Sequence, residues 1–202
     1  MNATAVLRAD AADIPLRTVL VPLILGSAAF GASIGSYVGG AQILYAAIKM
    51  PLFLLATLTI CMALFGALAA PVIGATRAVG VAVRTIGVTA ILLGGLAPPL
   101  MLLGLTLPKP EPKGYQAMVL SLTAAVAIAG SIAVGRLARE LGSRRLAAAW
   151  IAVYAFTGAQ MAWLLKPWIG YTLEADRFIP LADNLHGNFY EAAWQTLLNL
   201  LR

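Results

Sequence analysis

The sequence predicts an all-α polytopic membrane protein: a bundle of five transmembrane helices followed by an amphipathic C-terminal helix. Of its 202 residues, 61% are hydrophobic and 11% are charged, whereas soluble domains have about 45–50% apolar and about 25% charged residues. The mean hydropathy is +0.88. Apolar segments of about 20 residues recur along the chain, which is the length of a helix that crosses a hydrocarbon layer of ~30 Å.

The charge and the cysteine content exclude several classes of protein. The net charge is +6, but no basic run is interleaved with aromatic residues, so we expect no nucleic-acid partner. Cys61 is the single cysteine and lies within an apolar segment. One cysteine cannot form an internal disulfide or a structural zinc site. We therefore interpret Cys61 as a small buried apolar residue.

The first 17 residues form a polar tail that includes Asp10 and Asp13. This cytoplasmic tail is longer and more acidic than the basic start of a cleavable signal peptide, so we interpret the first apolar segment as a retained anchor. The first span then covers residues 18–40.

The second half of this first span carries a stripe of glycines. Gly31, Gly35 and Gly39 are spaced four residues apart. Small residues at that spacing allow a second helix to approach closely. We expect the stripe to pack against another helix of the same chain, with a dimer interface as the alternative.

The segment 41–50 is too short to span a membrane. It is predicted to be a short interfacial helix or a continuation of the first span, with Gln42, Tyr45 and Lys49 on one face. Lys49 is interpreted as a lysine that reaches the interface, the alternative being an embedded functional charge. The second span, 51–73, begins at a proline, which is favourable in the first turn of a helix.

The third and fourth spans are predicted at 85–107 and 115–135. Arg77 and Arg84 precede the third span in what is predicted to be a loop. Two adjacent prolines, at 98 and 99, are expected to kink or interrupt it. Broken helices bind ions in some transporters; because no acidic residue accompanies this break, a structural kink is the favoured interpretation.

The fifth span, 147–169, follows a basic loop at 136–145. Trp163, Lys166 and Trp168 are predicted to anchor its outer end at the interface. Gln160 lies deeper, where a polar side chain needs a partner. We predict a polar clasp, which is formed by Gln160 together with Gln42, Tyr45 and Lys49.

Residues 171–202 are not apolar enough to cross the membrane. Phe189, Ala193, Leu197 and Leu201 are four residues apart, which predicts an amphipathic helix on the outer face. The distribution of Lys and Arg orients the chain. With the N-terminus inside, eight of these residues lie inside and six outside, which predicts a cytoplasmic N-terminus and a periplasmic C-terminus.

Residues that would indicate catalysis, a cofactor or a metal are not found. None of the eight acidic residues lies in the middle of a predicted span, which argues against a proton- or cation-coupled transporter. His186 is the single histidine, and no nucleophile, zinc or phosphate-loop pattern occurs. We expect no catalytic residues, no cofactor and no metal; an enzyme that acts through the outer tail is a weak third hypothesis.

Two motifs resemble those of a bacterial family of small five-span membrane proteins described as Yip1-like. The first runs from Gly39 to Pro51 and includes Gly40, Gln42 and Lys49. The second, YAFTGAQMAWLLKPWIG, ends the fifth span. Its matching residues are Gly158, Gln160, Met161, Ala162, Trp163, Lys166, Pro167 and Gly170. The resemblance covers about residues 18–170 and implies a five-helix fold in the bacterial inner membrane. The acidic signature of the eukaryotic Yip1 proteins, which bind small GTPases, is missing.

The leading functional hypothesis is a non-catalytic scaffold or accessory subunit of a larger inner-membrane complex. Its expected partners are the lipid bilayer and either other membrane proteins or further copies of the chain. The alternative is a channel or a carrier for a small solute or lipid, in which a polar path is lined by Gln42, Lys49, Gln160 and Lys166.

Overall fold

The computed structural model describes residues 16–109 and 111–165, and this part of the chain is all-α, as predicted. It contains no strand and forms five helices, which are α1 (Leu16–Gly35), α2 (Ala41–Ile73), α3 (Ala75–Thr106), α4 (Pro112–Leu141) and α5 (Arg144–Leu165). The N-terminal tail was predicted to run to residue 17, but α1 already begins at Leu16. Residues 1–15 and the predicted C-terminal helix lie outside the described residues.

Among the described residues, four helices are long and apolar enough to cross a membrane. They are α1 to α4, with mean hydropathies of 1.8, 2.4, 2.0 and 2.2 over their apolar windows. Large apolar side chains are exposed on their surfaces, Leu25, Val72 and Leu120 among them. A surface of this kind is compatible with a multi-pass membrane protein. The predicted fifth span corresponds to α5, which is not among these four helices, so the five-span count stays a prediction.

Three of the helices are longer than a membrane requires. α2, α3 and α4 contain 33, 32 and 30 residues, or about 45–50 Å at 1.5 Å per residue. The segment 41–50 is therefore neither a separate interfacial helix nor part of the first span, because it forms the first turns of α2. The helix passes through Pro51 without ending there.

Three of the four turns between the described helices contain a glycine with a positive φ. Gly39 and Gly40 have φ of 87° and 56° and form the turn between α1 and α2, and Gly74 has φ of 83° between α2 and α3. Residues with a Cβ rarely adopt such angles. The turn between α4 and α5 contains Gly142, again with a positive φ.

The two predicted basic loops are helical. Arg77 and Arg84 belong to α3, which begins at Ala75, and α4 continues through the basic segment to Leu141. A charged side chain outside the hydrocarbon does not interrupt the backbone hydrogen bonds of a helix, so the arginines do not end α3 or α4. The predicted interruption at Pro98 and Pro99 is also wrong, since α3 is continuous to Thr106. Both prolines are exposed, so their rings lie on the outer face of the helix.

The centre of the bundle is a group of three helices, α1, α2 and α3, which pack against one another. Towards α2, a Cβ atom added to Gly31 would collide with the carbonyl of Ala46 and lie 2.9 Å from Met50 Cβ. A Cβ atom at Gly35 would lie 2.6 Å from Cα of Ile43. Both distances are shorter than real Cβ contacts, so this seam requires glycine.

A second seam joins α1 to α3. A Cβ atom at Gly94 of α3 would lie 2.7 Å from Cα of Gly26 in α1, and one at Gly26 would collide with the carbonyl of Ala90. The backbone of α1 therefore touches the backbones of both α2 and α3. Close approach of this kind maximises van der Waals contact between helices that have no hydrophobic drive to associate in lipid.

The remaining helices complete the bundle around this centre. α2 also packs against α5, α3 against α4, and α4 against α5. An aromatic contact joins α2 to α5. The Phe65 and Trp150 rings meet edge to face, and their centres are 5.1 Å apart. Trp150 stacks in turn on Tyr154, at 6.1 Å. Trp150 and Phe65 are almost completely buried.

The glycine seam between α1 and α2 predicts a position-specific loss of stability. We expect Gly31→Ala to destabilise the protein by about 1–3 kcal/mol, because the added methyl group forces two backbones apart. The measurement is the midpoint of SDS-induced unfolding in mixed micelles. Gly130→Ala is the matched control, since an added Cβ there has no atom within 4 Å. Equal midpoints for the two variants would contradict the seam.

Candidate functional site

Polar side chains meet at one level of the interface between α2 and α5. The Cys61 thiol lies close to the Thr157 hydroxyl. Phe65, which follows Cys61 in α2, contacts Trp150, which precedes Thr157 in α5. Residue numbers therefore fall along α2 as they rise along α5, and the two helices are antiparallel. Thr57 lies one turn from Cys61, about 6 Å along the axis, and Gln160 lies about 4.5 Å beyond Thr157 in the same direction. We call Thr57, Cys61, Thr157 and Gln160 the polar layer.

Three oxygen atoms of the polar layer are buried without a full hydrogen bond. They are Oγ1 of Thr57, Oγ1 of Thr157 and Oε1 of Gln160, none of which has a partner of good geometry among the described residues. A thiol is a weak donor, so the contact with Cys61 satisfies Thr157 only in part. A buried polar atom without a partner costs about 1–3 kcal/mol. The three oxygen atoms place this cost at one interface, the one between α2 and α5.

Other buried hydroxyls in the bundle are satisfied within their own helices. Ser27 donates to the carbonyl of Leu23 at 2.5 Å, and Thr85 donates to that of Val81 at 2.8 Å. Thr89 donates in turn to the carbonyl of Thr85 at 2.9 Å. The unsatisfied hydroxyls of the polar layer are therefore exceptions to the usual pattern of Ser and Thr in apolar helices.

The predicted polar clasp is not closed at Gln160. Its carboxamide oxygen reaches no hydrogen-bond donor in the described part of the chain. Gln42, Tyr45 and Lys49 lie together on the first turns of α2, and each has an interaction partner. Their spacing correctly predicted that they share one helix. Because this helix begins at Ala41, however, the three residues lie at a different level from Gln160.

Lys49 lies inside the bundle. Only 9% of the residue is exposed, so it does not extend over the protein surface as the favoured sequence interpretation required. Burial of this charge agrees with the alternative interpretation, an embedded lysine.

The predicted interface anchors fall near the end of the described chain. Trp163 belongs to α5, but its side chain, Lys166 and Trp168 lie outside the part that the structure describes. Gly39, the third glycine of the predicted stripe, lies beyond the end of α1, and nothing lies within 4 Å of a Cβ built there. It serves the turn, while Gly31 and Gly35 face α2.

An ion pair that the sequence reasoning missed joins α3 to α4. Nη1 of Arg84 lies 3.2 Å from Oε1 of Glu140, and the two side chains are 10% and 27% exposed. Arg77, two turns earlier in α3, donates to the backbone carbonyl of Glu140 at 3.1 Å. The signal was present in the sequence, since Glu140 is the one acidic residue in a basic segment. Assigning the arginines to loops concealed it.

At the opposite end of the bundle, polar contacts tie the turn after α1 to the end of α3. The Tyr37 hydroxyl donates to the carbonyl of Pro108 at 3.3 Å. Nζ of Lys109 donates to the carbonyl of Ser36 at 3.2 Å and lies 5.8 Å from the centre of the Tyr37 ring. Lys109 therefore caps backbone groups at this end, in addition to any contact with lipid headgroups.

A cavity of about 240 Å³ lies beside the polar layer. Its walls are supplied by α2, α3, α4 and α5, and nearly all of the lining groups are apolar. The lining residues are Met50, Phe53, Leu54, Thr89, Leu93, Val126, Tyr154, Ala155, Gly158, Ala159 and Ala162. An apolar cavity suits a hydrocarbon group and not an ion or a polar solute.

Within the described residues, no group of three or more His, Cys, Asp or Glu side chains could hold a metal ion. Comparison with protein-family models, with curated proteins and with solved structures finds no match. The resemblance to Yip1-like proteins therefore stays a prediction, and so does the polar path of the channel hypothesis. The outer-tail enzyme hypothesis concerns residues 171–202, which lie outside the described residues.

The ion pair predicts that the losses from removing its two charges are not additive. We expect Arg84→Gln and Glu140→Gln each to cost about 1–3 kcal/mol, less than for a fully buried pair because Glu140 is 27% exposed. The double variant is expected to lose less than the sum of the two. SDS unfolding midpoints measure the cycle, and the exposed Arg145→Gln is the control. Additive losses would contradict a coupled pair.

The polar layer predicts opposite effects for the same substitution at two buried threonines. Thr57→Val removes a hydroxyl that has no partner and is expected to stabilise the protein by about 1 kcal/mol. Thr85→Val breaks the bond to Val81 and is expected to cost about 0.5–1.5 kcal/mol. Unfolding midpoints of the two variants in the same micelles provide the comparison. A destabilised Thr57→Val would show that this hydroxyl is satisfied.

Proposed function

We propose that this protein is a non-catalytic integral membrane scaffold or accessory subunit that assembles with other membrane proteins or with further copies of itself. The observation that carries the proposal is a stripe of small residues on the exposed face of α4. Thr123, Ala127, Ser131 and Gly135 are spaced four residues apart, and all four are exposed. Within the bundle, the same spacing on α1 allows backbones to touch.

The contrast between the two stripes supports an assembly role. Gly31 and Gly35 on α1 face α2 of the same chain. The stripe on α4 is flanked by Leu120 and Ile128, which are 71% and 54% exposed, and nothing lies within 4 Å of a Cβ built at Gly135. Small-residue faces of this kind are used for helix association in membranes. A helix of a neighbouring subunit fits this face.

The rigid centre of the bundle also favours a scaffold over a carrier. Alternating access requires two arrangements of the helices around a site. Here α1 touches α2 and α3 backbone to backbone at Gly31, Gly35, Gly26 and Gly94. Sliding any of these helices past α1 brings a side chain into the seam, which works against a second arrangement.

The test is the assembly state in native lipid. We expect the protein, extracted in lipid nanodiscs, to be recovered as an oligomer or in a stoichiometric complex, as measured by light scattering and by co-isolation of two differently tagged copies. Ala127→Leu is expected to weaken the assembly about tenfold, or ~1.4 kcal/mol. Ala63→Leu, at an exposed alanine of α2, is the matched control. A monodisperse monomer without a partner would contradict the proposal.

A further inference from the structure

We infer that the cavity between α2, α3, α4 and α5 binds the terminal part of a lipid acyl chain that enters from the bilayer. This inference rests on the proposed membrane location, but it adds a specific ligand site that a scaffold does not require. It is carried by the depth, the lining and the opening of the cavity.

The cavity lies near the middle of the bundle. Thr89 and Leu93, which line it, lie near the midpoint of α3 (Ala75–Thr106), and Val126 lies at the midpoint of α4 (Pro112–Leu141). Its lining residues from α2 lie about 4–10 Å to the N-terminal side of the midpoint of that helix. If the long helices are centred in the membrane, this level is the middle of the hydrocarbon layer. The methyl ends of acyl chains lie there, and headgroups and water do not.

The room in the cavity comes from small side chains on one helix. Four of the five lining residues from α5 are Ala155, Gly158, Ala159 and Ala162. Nothing lies within 4 Å of a Cβ built at Gly158. The fifth, Tyr154, is held on the side of Trp150 by stacking. α5 therefore contributes little side-chain volume to this wall, and larger aliphatic residues at these positions would fill the space.

The lining is almost entirely apolar and disfavours water and polar solutes. Its one hydroxyl on α3, that of Thr89, is occupied in a bond to the carbonyl of Thr85 at 2.9 Å. An apolar cavity of ~150 Å³ stays dry and takes up small hydrocarbons, and this cavity has about 240 Å³. A hydrocarbon segment restores the dispersion contacts that an empty cavity forfeits.

The cavity is accessible from the side of the bundle. Ala155, at its rim on α5, is exposed, whereas Leu54 and Leu93, which line it from α2 and α3, are 1% exposed. An occupant therefore enters laterally, and at mid-bilayer depth the surrounding medium supplies acyl chains. This is the reason for assigning a lipid chain and not a soluble small molecule.

The experiment uses a phosphatidylglycerol whose acyl chain carries a diazirine at its terminal carbon. The full-length protein is reconstituted in vesicles that contain this lipid, irradiated, and analysed by peptide mass spectrometry. We expect adducts on Met50, Phe53 and Tyr154, in addition to adducts on the exposed Leu120. Gly158→Leu fills the cavity, so the adducts on the three lining residues are expected to be lost while those on Leu120 remain.

Gly130→Leu is the matched control, because it adds the same side chain to a glycine with nothing within 4 Å of its Cβ and outside the cavity lining. It is expected to keep the adducts on the lining residues. Ala162→Leu is a second filling variant and is expected to behave as Gly158→Leu does. The thermal unfolding midpoint of each variant shows whether it is folded.

Several outcomes would overturn the inference. Adducts on Leu120 without adducts on the lining residues would show that no chain enters. Lining adducts that persist in both folded filling variants would show that they arise elsewhere. A photoreactive phenylalanine at position 53 that crosslinks to residues 166–202, or to a second copy of the chain, would assign the cavity to protein. Failure to insert into vesicles would instead contradict the proposed membrane location.

Discussion

The structure depends on the contact of backbones at the glycine seams of α1. With a side chain at Gly31 or Gly26, α1 would stand away from α2 or α3, and the burial of Phe30 and Ile34 would be lost with it. In lipid the hydrophobic effect does not draw helices together, so close packing has to supply the attraction. α4 and α5 are added around this three-helix centre through side-chain contacts, chief among them the Phe65–Trp150 pair and the Arg84–Glu140 pair.

Much of the fold was readable in the sequence. Composition and the recurrence of apolar segments predict an all-α chain with the helices in their observed order, and the four-residue spacing of Gly31 and Gly35 predicts a close helix approach. The boundaries were read less well, because the end of an apolar segment is where a helix leaves the hydrocarbon and not where its backbone stops. Arg77, Arg84 and Arg136 were therefore assigned to loops, although the chain breaks at Gly74 and Gly142.

The candidate site was harder to predict for the same physical reason. Gln160 was predicted to be a polar side chain that needs a partner. The choice of Gln42, Tyr45 and Lys49 as its partners assumed that the second helix begins at Pro51. Residues 57 and 61 look unremarkable in an apolar segment, and only the antiparallel register of α2 and α5 brings them to the level of Gln160. The cavity is equally hidden, since it arises from the absence of side-chain volume on α5.

The unequal lengths of the helices have a consequence for the membrane around the protein. α1 has 20 residues, whereas α2 and α3 have 33 and 32. An apolar helix longer than the local hydrocarbon thickness tilts or thickens the bilayer, at a cost of a fraction of a kcal/mol per Å. Because α1 is joined to both long helices at glycine seams, none of the three tilts alone. In a bilayer, the bundle would therefore adjust its tilt as one body.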